Sequence, residues 1–119
     1  MATDILFMLG FSFLFVHEID AVRCKEWRMF PGLSQLGDRT AEAIFILAHI
    51  PLIAAILYFI FQDTTSGLLA TALSYFMVIH SVIHLFCLKH MQNEFKGFIS
   101  WLIISGAGAC GLAYLLMIS

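Results

Sequence analysis

Charge is scarce in this chain: Asp, Glu, Lys and Arg together supply 12% of its 119 residues, and their balance is -2. Soluble domains carry about twice that share of charged side chains. Six Lys and Arg cannot form a broad basic surface, which excludes a nucleic-acid partner. Cysteine is equally thin: Cys24, Cys87 and Cys110 lie far apart and form no C-x-x-C pair, so no structural disulfide is expected. No basic stretch precedes the first apolar run and no small-residue cleavage site follows it, so that run is expected to stay in the mature protein. Strand-like alternation, internal repeats and low-complexity tracts are absent as well.

What the chain has in quantity is hydrocarbon. Hydrophobic residues make up 61% of it, and the mean hydropathy is +0.95. Four apolar segments stand out, at about 5–22, 40–61, 67–88 and 97–118, each close to the ~20 residues a helix needs to cross a bilayer. A helix satisfies its own backbone polar groups in lipid, so the expected fold is all-α, one integral membrane four-helix bundle over residues 1–119. All six basic residues fall in two connections: Arg23, Lys25, Arg28 and Arg39 after the first span, Lys89 and Lys96 after the third. The positive-inside rule then puts both basic loops in the cytoplasm and both termini on the other side, as a multi-pass protein of the inner (plasma) membrane. Asp38 is placed to cap the second span. The outer turn is expected over 63–67, and the aromatic and basic residues around Trp27 suit an interfacial segment.

The ionisable residues that remain inside the spans are costly there, roughly +2.5 to +3.5 kcal/mol each, and point to function. The first span ends in His17-Glu18-Ile19-Asp20. A rise of 1.5 Å per residue places His17 roughly 8 Å inside its end, His49 about 14 Å into span two, and His84 and His80 roughly 6–14 Å inside span three. Glu42 lies roughly 3–5 Å into span two. His17 and Asp20, Glu42 and His49, and His80 and His84 each share a helix face. The three stripes are expected to converge on one polar pocket at the cytoplasmic side. Imidazoles with carboxylates suit zinc or iron, and His-x-x-x-His sets two nitrogens toward one ion. His17, Asp20, His49, His80 and His84 are the candidate metal ligands, and Glu18 and Glu42 the candidate catalytic bases. Each also has a structural reading: His49 as a helix–helix hydrogen bond, His17 and Asp20 as snorkelling groups, and Glu42 as a partner of Arg39 and of the helix dipole. Glu26 is expected to pair with a basic neighbour at the surface, and Cys87 to be a small buried hydrophobe.

Pro51 cannot donate to Leu47 and should kink span two beside His49. Span four carries no ionisable residue, and its Ser105, Ala107, Ala109 and Gly111 have the small-xxx-small spacing of a close helix contact, within the bundle or across a homodimer. The abundant aromatics admit an apolar groove for a lipid-like substrate.

The run from His17 to Arg28, followed by the His-rich third span, resembles small uncharacterised bacterial four-helix membrane proteins related to the HxxEE-domain family. The resemblance implies a four-span fold and an enzymatic role built on histidine and acidic residues. Here His17 is followed by Asp20 and Ala21 where that motif has two glutamates, which leaves Glu18 as the substitute. The expected activity is metal-dependent hydrolysis or oxidation of a small or lipid-like substrate. The alternatives are a bis-His haem carrier using His49 with His80 or His84, a small proton-coupled transporter, and a structural subunit of a larger complex.

Overall fold

A computed structural model of the chain describes residues 1–64 and 66–119. Thr65, within the expected outer turn, lies outside the described residues. Four α-helices account for most of the chain: α1 (Ala2–Arg23), α2 (Asp38–Ile60), α3 (Ser66–Phe86) and α4 (Phe98–Ile118). All four are long and apolar enough to cross a membrane. Among the described residues there is no strand. Ile5, Met8, Ile19, Leu47, Ile50, Leu68 and Leu116 are all exposed on the outer face. An apolar surface of that extent has hydrocarbon as its matching solvent.

The helices do not contribute equally. α4 lies between α1 and α3 and packs closely on both. Its small residues make this possible. A Cβ on Gly111 would come within 2.8 Å of the Ser74 carbonyl oxygen, and one on Gly108 within 2.5 Å of the Ser81 hydroxyl. Gly10 of α1 meets Cys110 of α4 at a similar separation. The Ser81 hydroxyl also donates across the interface to the Ile104 carbonyl at 2.8 Å, the type of link that joins helices in lipid. Of the small residues in α4, Ala107 and Gly111 are thus taken up inside the chain, while Ser105 and Ala109 face outward.

α2 stands apart. It buries only Ala41 and Phe45, both near its first turns. It runs without interruption through Pro51. Its residue before the first turn is Gly37, and Asp38 makes no capping bond. Asp38 instead ties the helix to the preceding loop. It accepts a hydrogen bond from the Trp27 indole at 2.8 Å and a two-pronged one from Arg28, at 2.9 and 2.6 Å. The expected cap is corrected to an anchor: a two-pronged guanidinium together with an indole N–H competes better for the carboxylate than a backbone N–H does.

The two connections at the shared end of α1 and α3 are packed segments, not tethers. Trp27 and Phe95 are fully buried, and with Ala21, Cys24, Ala41, Phe45 and Ile104 they form a core beneath the helices. Trp101 donates to the Phe95 carbonyl at 2.8 Å, and Asn93 accepts from the Phe95 N–H at 3.0 Å. Burial also pushes the Cys24 thiol upward, which suits a packing residue rather than a reactive one.

Candidate metal centre

The end of α1 controls where the next residues go. After Arg23 and Cys24 the chain reaches Lys25, which has φ +52° and ψ +49°. This left-handed conformation costs a non-glycine residue roughly 1–2 kcal/mol. It turns the chain back under the bundle, and the 3-10 turn Glu26–Met29 follows directly. Glu26 therefore points inward and is 4% exposed, among the most buried polar residues of the chain.

There it meets three imidazoles. His17 comes from α1, and His80 and His84 from successive turns of α3. Their ring centroids lie 4.7 to 4.9 Å apart, in a triangle of edge-on rings. The Nε2 atoms face one another: His80 to His17 at 2.8 Å and His80 to His84 at 3.1 Å. The Glu26 carboxylate closes the group, 3.3 Å from His84 Nε2, 3.6 Å from His17 Nε2 and 3.8 Å from His80 Nε2. One ligand atom from each of the four lies within 4.8 Å of all the others. Phe95 packs against His17 and His84 at centroid distances of 5.4 and 4.6 Å, and Phe76 against His80 at 5.2 Å.

These contacts are poorly explained as hydrogen bonds alone. His80 Nε2 can offer one hydrogen or one lone pair. It faces two imidazole nitrogens and can properly satisfy one. The other nitrogen of His17, Nδ1, is buried without a partner. A cation at the centre accepts all three inward lone pairs together. Four ligands held about 2.0–2.1 Å from a tetrahedral zinc are about 3.3 Å from one another, and the observed spacings bracket that figure. Three imidazoles with one carboxylate also form a donor set that suits zinc or iron. Burial alone would raise the pKa of Glu26, but its hydrogen bonds with His17 and His84 outweigh that and hold it at about 2. Glu26 is therefore an anion at neutral pH, available as a fourth ligand.

The remaining sequence candidates lie elsewhere. Glu18 is next to His17 but leaves α1 in another direction, and pairs with His49 of α2 at 2.7 Å. Asp20 turns to Arg23 and accepts its Nε hydrogen at 2.8 Å, while Arg23 also donates to Ser100 of α4 at 3.1 Å. Glu42 is half-buried on α2 and has no hydrogen bond or ion pair among the described residues. The single pocket expected from three stripes is two separate places. A helix turns 100° per residue, so neighbours such as His17 and Glu18 cannot share a face. Glu26, expected at the surface, is the buried fourth member of the cluster. The signal that could have found it is local: an acid beside Trp27, directly after a helix end, in a loop with enough apolar bulk to fold under the bundle.

A haem between facing histidines finds no place in this arrangement. His49 has both ring nitrogens engaged, Nδ1 with the Phe45 carbonyl and Nε2 with Glu18. His17 and His80 approach each other too closely to bind opposite faces of a porphyrin iron.

Residues 3–119 match the family of unknown function DUF6713, and the chain belongs to that family. No comparison links it to the HxxEE-domain proteins. No curated protein matches the chain, and no solved structure does.

Proposed function

We propose that this member of a family without an assigned function is an integral membrane metalloprotein, with zinc or iron held by His17, Glu26, His80 and His84. The observation that carries the proposal is the buried triangle of inward-facing Nε2 atoms closed by the Glu26 carboxylate. A bound ion would supply Lewis-acid polarisation or, for iron, electron transfer. The chain's own contribution is to exclude water through Phe95, to fix the ring positions by packing, and to keep Glu26 ionised. His80 is the most open of the three imidazoles, with its side chain 15% exposed against 1% for His17 and 3% for His84. It is where a substrate would reach the centre, and hydrolysis or oxidation of a small or lipid-like molecule is the activity we attach to it.

We place the protein in the inner membrane with the basic connections cytoplasmic, because all six Lys and Arg lie in those two segments. The centre then opens toward the cytosolic metal pool. If the chain dimerises, Ser105 and Ala109 offer the outward small-residue surface of α4.

Elemental analysis of protein purified in detergent tests the reading. Wild type is expected to carry stoichiometric zinc or iron, and His17→Ala and His84→Ala to lose it. Equal metal content in all three preparations, or none in wild type after growth with either metal, would discard the proposal.

A further inference from the structure

The loose seat of α2 leaves a cavity of about 300 Å3 between α1, α2 and α3. Its size is at the lower end of small-molecule sites. Its walls are almost wholly hydrocarbon, including Phe11, Leu57, Leu69 and Phe76, with one exception: the Glu18–His49 pair at one end. The same pair lines a shallower groove past Ile19, Val22 and Ile46. That groove leads toward the loop end of the bundle.

The protons of the pair can be counted from its geometry. The Phe45 carbonyl can only accept, so His49 Nδ1 carries a hydrogen for the 2.7 Å contact there. The 2.7 Å contact between Nε2 and Glu18 Oε2 holds a second proton, whichever atom owns it. The pair is then neutral as a whole. The other carboxylate oxygen, Oε1, has no hydrogen bond among the described residues. Glu18 itself is only partly covered, with 29% of its side chain exposed. In hydrocarbon an acceptor of this kind needs a donor, and none comes from the described residues.

The position of the pair adds a direction. Glu18 lies about 8 Å from the loop end of α1, and Phe11 about 10 Å deeper. An amphiphile lying in a bilayer leaflet has the same order, polar end toward the interface and chain toward the centre. From this we infer that the cavity binds an uncharged, hydroxyl-headed amphiphile, its O–H donating to Glu18 Oε1 and its chain running past Phe11 toward Leu57 and Leu69. A cationic amine would add an unbalanced charge to a neutral pair in an apolar cavity, which is the costlier arrangement. The inference is independent of the metal: it uses neither the imidazole triangle nor Glu26.

The test is equilibrium binding of 1-dodecanol, dodecylamine and dodecyl methyl ether to the full chain in nanodiscs, read by native mass spectrometry. Dodecanol is expected to bind wild type best. Its binding should weaken up to about tenfold in Glu18→Leu, which removes the acceptor, since one hydrogen bond is worth up to about that much. Ala72→Phe, which fills the cavity without touching the pair, should lose it altogether. Equal dodecanol binding by wild type and Ala72→Phe would overturn the site. Equal binding of the ether, or tighter binding of the amine, would overturn the hydroxyl assignment. Metal content of the same samples is read separately, so failure of the metal centre and failure of this site are distinguishable.

Discussion

His17 and Glu18 are neighbours in sequence and open onto two different worlds. On one side of α1, His17 joins three other ligand-type groups in a volume closed by Phe95, where no hydrogen-bonding scheme satisfies every nitrogen. On the other, Glu18 and His49 satisfy each other and stay partly open to an apolar cavity. The same residue types thus do different work according to how tightly the neighbouring helix is seated. α3 and α4 are locked to α1 and each other through glycines, and the side chains between them are forced together. α2 buries only Ala41 and Phe45, near its first turns, and its middle is joined to α1 by the Glu18–His49 pair with space left beside it. Close packing gathers groups that could hold an ion; loose packing leaves room for a molecule.

The contrast can be broken most completely at the imidazoles. Replacing His17 or His84 with alanine should lower metal affinity by more than about a hundredfold, beyond the range seen for residues that merely support a ligand. His49→Ala, on the other side, should leave metal content unchanged by elemental analysis. Glu26→Gln keeps the shape and removes the charge. It is expected to weaken zinc binding about 10–100-fold in competition with a chelating dye, at the scale of altered metal-site partners. The packing half of the contrast is tested at Gly111. Gly111→Ala pushes a methyl group against the Ser74 carbonyl, which cannot move aside as a side chain can. A loss of about 1–3 kcal/mol is expected in SDS unfolding. Trp27→Phe, which removes the indole donor to Asp38, should cost about 1 kcal/mol in the same assay, no more than the Gly111 substitution. Ala48→Leu, on the exposed face of loosely held α2, should change stability by less than about 0.5 kcal/mol, less than the Trp27 substitution.

Much of this architecture is legible in the residue order. Apolar runs of membrane length and a helix-compatible absence of alternation define four helices, because in hydrocarbon the backbone has few other ways to satisfy itself. His80 and His84 could be paired from spacing alone, and with His17 they share a depth. Depth and facing along single helices do not report how the helices rotate against one another. That rotation sends Glu18 and His49 to a second site, while Asp20 pairs with Arg23 one turn along its own helix. Glu26 is harder still. Its inward turn depends on the left-handed backbone of Lys25 and on burial of Trp27 and Phe95, and neither has a periodic signature. Asp38, at a cap position by composition, is drawn away by Trp27 and Arg28, two donors placed by the fold of the loop.

The positive φ of Lys25 has a consequence for how the centre is completed. Three of the four candidate ligands are set by the packing of α1 on α3, but the fourth, Glu26, lies outside the helices and is set by the turn that follows Lys25. An ion that gains Glu26 as a ligand would therefore also latch that turn. Docking of the loop and retention of the metal become a single event, and the Lys25 peptide bond is where it can be watched: trypsin should cut there more slowly once zinc is added.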